Sequence, residues 1–154
     1  MNGRLLGVDF GVKRVGLAVC DIDHRIASPL ATLERQTLDL DAQQLQRIVR
    51  DEKITGIIVG LPIHTDGREG IKAQEARAYG EWLRQITQLP VQFWDERFST
   101  VHAESALWQA GLTHGKRKQR RDRVAAQFML QSFLEAGCPI SEGVVPLTDE
   151  PSNS

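Results

Sequence analysis

The first apolar run of the chain, Leu5, Leu6 and Val8 within Arg4–Phe10, is nearly continuous and ends at Asp9-Phe10-Gly11. That pattern predicts a short strand buried on both faces. Gly11-Val12-Lys13-Arg14 supplies a turn, and Val15–Cys20 reads as the returning strand of a hairpin. A third strand is expected within Arg25–Leu33, where Ser28-Pro29 suits an edge strand or a bulge better than a central strand. Asp39 or Asp41 is placed to cap a helix whose apolar face is Ala42, Leu45, Ile48 and Val49. Ile54–Leu61 is a second buried strand, closed by Pro62, and Asp66-Gly67 marks a turn.

Ala73, Ala76, Gly80, Leu83 and Ile86 then recur at helical spacing, and Val91–Asp95 is a short strand running into Asp95-Glu96-Arg97. Ser99 or Thr100 begins a helix with Ala103, Ala106, Leu107 and Ala110 inward, stopped by Gly111. Ala125, Phe128, Met129, Phe133 and Ala136 define a last helix, with Asp122 at its opening. Residues 1–147 read as one domain, and 148–154 as a polar tail expected to be disordered. Three strands followed by alternating helices and strands predict an α/β fold. A five-stranded mixed sheet, a meander and then parallel strands, is flanked by helices.

Composition narrows the class. A chain of 154 residues buries a core as a single domain without disulfide or metal staples. No apolar run is long enough to span a bilayer, and the short run before Asp9 lacks the features of a secretory leader, so a cytoplasmic protein is expected. Cys20 and Cys138 form neither a disulfide framework nor a zinc pattern, and Cys20 reads as a buried reduced thiol. His24, His64, His102 and His114 are scattered without zinc-ligand spacing. The net charge of −1 hides an asymmetry. Residues 113–123 hold six Lys/Arg and one Asp, a local +5 set against −6 elsewhere. Such a segment attracts a polyanion, or is simply a solvated loop.

Three acids stand where chemistry gathers in α/β sheets: Asp9 and Glu96 after strands, Asp122 at the last helix. Together they can bind hard divalent cations through oxygen. Two such ions about 4 Å apart activate water and stabilise the leaving oxygen of a phosphodiester. Each acid alone also has an ordinary reading: a turn residue at Asp9, an ion pair at Glu96, a first-turn helix acid at Asp122. Lys13, Arg14 and Arg97 are candidate phosphate contacts, with Arg97 alternatively holding Glu96. Lys116, Arg117, Lys118, Arg120 and Arg121 are candidates to neutralise a nucleic-acid backbone. Gly11, Gly16 and Gly60 are read as permitting turns or close backbone approach.

Four ordered blocks carry a resemblance. Val8-Asp9-Phe10-Gly11-Val12-Lys13-Arg14-Val15-Gly16, Val59-Gly60-Leu61-Pro62 with Asp66-Gly67, Asp95-Glu96-Arg97-Phe98-Ser99-Thr100, and Arg121-Asp122-Arg123-Val124-Ala125-Ala126 closely resemble the YqgF (RuvX) family of bacterial ribonuclease H-like nucleases. The resemblance spans roughly residues 4–137 and implies a Holliday-junction-resolvase-like fold. It implies maturation of the 5′ end of the small-subunit ribosomal RNA precursor, with Asp9, Glu96 and Asp122 as the catalytic, metal-binding acids. Mg²⁺ or Mn²⁺ is the expected cofactor. The expected partner is nucleic acid, structured RNA ahead of branched DNA, bound by a monomer or a homodimer without membrane association.

Three rivals share parts of the pattern. An actin-like kinase lobe also begins with Asp-x-Gly, but needs a second lobe and a second phosphate loop that the chain does not supply. A non-catalytic nucleic-acid-binding module is disfavoured by the retention of all three acids. A junction resolvase would keep the chemistry and favour a symmetric dimer.

Overall fold

The computed structural model describes residues 2–98 and 114–139, with the side chains of Phe98 and residues 114–119 excepted. Strands β1 (Arg4–Phe10), β2 (Arg14–Cys20) and β3 (Ala27–Glu34) form a meander. Helix α1 (Leu38–Asp51), strand β4 (Ile54–Leu61), helix α2 (Ile71–Thr87) and strand β5 (Val91–Asp95) come next. A 3-10 turn at Glu96–Phe98 and a last helix, α3 (His114–Glu135), complete the described elements. The sheet order is β3-β2-β1-β4-β5, antiparallel across the meander and parallel from β1 through β4 to β5. This is the mixed five-stranded sheet that the alternation predicts. The helix expected over Ala103–Ala110 and the tail 148–154 lie outside the described residues, as does the end of the predicted domain.

Local chemistry explains the irregularities. β3 is an edge strand, so Pro29 removes no ladder donor from the interior. Leu17 pairs with Ala31 and Ala18 with Pro29, which leaves Leu30 as an extra residue in a bulge. Thr37, rather than Asp39 or Asp41, caps α1: its hydroxyl accepts the Leu40 N–H at 3.2 Å. Asp41 instead lies in the first turn and accepts the N–H of Gln36 at 3.0 Å, satisfying the chain just outside the helix. Both acids still sit where the positive end of the helix favours them.

Strand parity divides the core into two layers. Leu6, Val8, Leu17, Val19, Ile57, Val59, Leu61 and Phe93 face α1 and α2, packing with Leu45, Ala73, Ala76 and Leu83. The opposite parity, with Leu5, Ala18, Cys20 and Ile58, faces α3 and meets Ala126, Met129, Leu130 and Phe133. Cys20 is a buried free thiol, as expected, and its sulfur accepts the Leu5 N–H at 3.3 Å. Among the described residues no helix is long and apolar enough to cross a membrane.

α3 corrects two expectations. It begins at His114, so Asp122 is not in its first turn and the basic residues Lys116, Arg117, Lys118, Arg120 and Arg121 belong to a helix rather than a loop. Lys, Arg and Gln are good helix formers, and neither glycine nor proline interrupts the chain from Lys116 to Glu135. The buried stripe is also rotated from the expected one. Val124, Ala126, Leu130 and Leu134 join Met129 and Phe133 inside, whereas Ala125 and Phe128 are less deeply placed and Ala136 lies beyond the helix. Residues 124–130 offer two overlapping apolar stripes, and the sheet selects between them.

Leu130 is fully buried against Gly7. Leu130→Ala is expected to destabilise the protein by about 2–5 kcal/mol in urea denaturation. Ile22→Ala, at a side chain 70% exposed, should change stability by less than about 0.5 kcal/mol.

Candidate active site

Asp9 is the next-to-last residue of the central strand and shares the face of Gly7, toward α3. Its neighbours on that face are glycines. Gly16 of β2 lies directly opposite it. On the other side, Val8 pairs with Val59, which sets Gly60 of β4 beside Asp9 one step further along. Each glycine makes room for one of the other acids. A Cβ on Gly16 would stand 1.9 Å from the carbonyl oxygen of Asp122, so α3 lies backbone-to-backbone on β2 at that point. A Cβ on Gly60 would stand 2.5 Å from Oε2 of Glu96, whose side chain folds back over β4 from the turn after β5.

The electrostatics record the convergence. The Asp9 carboxyl is held well above the usual carboxylate range, first by burial, then by the charge of Glu96 and a hydrogen bond with it, and then by the charge of Asp122. Each of these causes disfavours the charged form of Asp9. Asp122 is steadied from outside, where Arg14 Nε donates to its Oδ2 at 2.8 Å and both side chains are about one-quarter exposed or less. Among the described residues, no three His, Cys, Asp or Glu side chains are arranged to hold a metal ion as they stand. The donors are nonetheless carboxylate oxygens with an excess of negative charge, the chemistry that a hard divalent cation requires.

The expected phosphate contacts separate into different roles. Arg14 is committed to Asp122 rather than presented to solvent. Arg97 does not hold Glu96. It grips Asp95 through two nitrogens, at 2.8 and 2.5 Å, and reaches the carbonyls of His64 and Thr65 at 3.3 and 3.4 Å, because the tight turn brings it back onto the preceding strand. Lys13 is exposed in the turn after β1. Arg120 and Arg121 are exposed on α3, and the side chains of Lys116, Arg117 and Lys118 lie outside the described set. Gly11 sits in a tight turn, with the Arg14 carbonyl 2.5 Å from where its Cβ would be.

Two cavities open beside Glu96, of about 480 and 270 Å³, and both have Pro62, Lys72 and Glu96 in their walls. Lys72 is not apparent from the sequence, because one lysine at the start of an amphipathic helix looks like any solvated surface charge. The signal that the sequence does hold is the parity of small residues. Gly7, Gly16, Ala18 and Gly60 all fall on the face of Asp9, a strip too shallow for an ordinary core.

The glycines and the half-buried acid yield separable outcomes. Gly16→Ala forces backbone against backbone and should cost about 3 kcal/mol, the upper end of overpacking. Gly60→Ala displaces only the flexible Glu96 side chain, so stability should change little while any activity of the site falls sharply. Because its folded pKa is raised, Asp9 binds its proton more tightly in the native protein than in the unfolded chain. Stability is therefore lost as pH rises from the ordinary Asp range through the raised value. Metal-free Asp9→Asn should melt higher than wild type at neutral pH, by about 2–4 °C per kcal/mol recovered, with the gap widening from acid to neutral pH. An Asp9→Asn protein that melts no higher contradicts this electrostatic reading.

Comparison with known proteins agrees with this architecture. A protein of Rhodopirellula baltica named "Putative pre-16S rRNA nuclease" is 47% identical over 135 residues, covering 88% of this chain and 78% of that one. A relative of the same name from Rhodobacter capsulatus is 44% identical over 133 residues, covering 86% and 84%. Among solved structures, RuvC of T. thermophilus in complex with a Holliday junction substrate superposes with a TM-score of 0.56 at 14% identity, over 89% of this chain and 96% of that one. The resolvase of Fowlpox virus, in complex with Holliday junction DNA, gives 0.54 at 13% identity, over 88% and 99%. Those two share the fold. The sequence model of RuvX, described as Holliday junction resolvase, matches residues 3–136, and the chain belongs to that family.

Proposed function

We propose that this protein is a cytoplasmic, divalent-metal-dependent nuclease that hydrolyses phosphodiester bonds in the 5′ region of precursor small-subunit ribosomal RNA. The observation that carries the reading is the Asp9 carboxyl, half-buried between two glycines and set against Glu96 with Asp122 nearby. A fold does not gather three acids at the end of its central strand for stability, since like charges in a shared site repel. The names of the relatives support the ribosomal substrate.

In this reading Asp9, Glu96 and Asp122 hold Mg²⁺ or Mn²⁺ through their carboxylate oxygens. The chemistry an ion held there would supply is activation of water for attack and stabilisation of charge on the leaving oxygen. The residues of the chain supply the rest. Asp9, whose carboxyl is held above the usual carboxylate range, would lose its proton on binding the cation, so affinity would rise with pH. Asp122, paired with Arg14, would add the third carboxylate to the set. Arg14 keeps that carboxylate aimed at the sheet, and Arg97 fixes the segment after β4 that borders Glu96. Lys13, Lys116, Arg117, Lys118, Arg120 and Arg121 neutralise backbone phosphates, which favours position over base identity.

The description of the family favours a second reading, cleavage of four-way DNA junctions by the same acids. One assay addresses both. Purified protein is incubated with precursor ribosomal RNA or with a DNA junction, with Mg²⁺, Mn²⁺ or a chelator. Metal-dependent cutting of the RNA is expected, and Asp9→Asn, Glu96→Gln and Asp122→Asn should each lower it by at least about 10²-fold while remaining folded. Cutting confined to the junction would select the second reading, and full activity in Asp9→Asn would overturn both.

A further inference from the structure

We propose that Lys72 binds the backbone phosphate next to the one being cut, and that the two cavities beside Glu96 form a single groove holding that stretch of the nucleic-acid strand. The inference rests on reading the acid cluster as a phosphodiester-cleaving site and adds where the strand lies. The larger cavity, about 480 Å³, runs from Glu96 past Ile71 and Arg97. The smaller, about 270 Å³, runs from Glu96 past Val12. Pro62, Lys72 and Glu96 belong to both walls, so the two meet at the acid.

Lys72 is the cation best placed to receive a phosphate in this groove. Arg97, the other cation in the walls, is already committed to Asp95 and to two backbone carbonyls. Lys72 is exposed and, among the described residues, makes no ion pair. Its ammonium shares these walls with the carboxylates of Glu96 and, in the smaller cavity, Glu75, and a strand drawn to the acids brings a backbone phosphate within its reach.

Each cavity also carries one exposed apolar side chain: Ile71 is 73% exposed and Val12 is 69% exposed. Single exposed aliphatics are ordinary on a surface. Here one stands in the wall of each cavity, where the face of a sugar or base can cover it once Lys72 has the phosphate. The Val12 side is held still by Arg35, whose guanidinium donates to the Val12 carbonyl at 3.1 Å and whose N–H donates to the Lys13 carbonyl at 2.9 Å. The opposite side is held by Arg97 and by the Ile63–Glu69 bridge. A groove with both walls tied down binds its strand without a cost of ordering them.

The test measures binding and cleavage separately. A short labelled RNA strand is titrated with Asp9→Asn protein, which does not cut it, at several salt concentrations. Added Lys72→Ala should weaken binding roughly tenfold and flatten the slope of log affinity against log salt by about one. Lys72→Arg should restore both. Ile71→Ser and Val12→Ser should each weaken binding a few-fold with the slope unchanged. In active protein, Lys72→Ala should raise KM more than it lowers kcat. Unchanged affinity and slope in Lys72→Ala, or no rescue by arginine, would overturn the groove while leaving the acids as the cleavage site. Absent cleavage by wild-type protein with a persistent Lys72 effect on binding would overturn the nuclease reading and support the groove.

Discussion

At Gly16 the carbonyl of Asp122 occupies space that a side chain would take, and this contact limits how α3 lies on the sheet. Helices usually rest on a sheet about 10 Å away, across a layer of side chains (a spacing like that between packed sheets). Here one face of the central strands carries Gly7, Gly16, Ala18 and Gly60, and the helix comes closer than such a layer would allow. Large aliphatics on the other parity carry the core with α1 and α2. The molecule thus has one thick layer and one thin one, and the acids sit at the open end of the thin one.

That geometry has an electrostatic cost. Asp9 is pushed toward its protonated form by burial and by Glu96 and Asp122, while the Arg14 guanidinium balances the charge of Asp122. The rest of the structure offsets the cost through ordinary means, chiefly its two apolar layers and the Thr37 cap of α1. Arg14 and Arg97 illustrate the division of labour. Both look like phosphate ligands in the sequence, and in the structure both are engaged by acids, Arg14 by Asp122 and Arg97 by Asp95, with Arg97 also reaching the segment following β4. An arginine beside an acid can hold the acid as readily as it can hold a substrate.

Most of the sheet is legible in the sequence because its signals are local. Apolar runs, the Asp66-Gly67 turn and Pro29 define strands, a turn and an edge without reference to anything distant. The cap of α1 is not legible, because Thr37, Asp39 and Asp41 are all competent and only the path of the chain chooses among them. The start of α3 is hidden for a related reason, since a run of Lys and Arg is helical or not according to the residues that continue it. The three acids are legible as residue types in suitable places. Their convergence is not, because it depends on pairings between distant segments: Gly16 with Asp9, Gly60 beside it, and Asp122 over Gly16. The alternation of glycine with large aliphatics in β1, β2 and β4 is the available clue, and it reads as two faces only once the strands are in register.

The central claim is that Asp9, Glu96 and Asp122 are one cation-binding group. Anomalous diffraction from crystals soaked in Mn²⁺ tests it most directly. The expected result is an anomalous peak in contact with Asp9 and Glu96 and within reach of Asp122, which stays paired with Arg14. Manganese bound elsewhere, with no peak at Asp9, would contradict it.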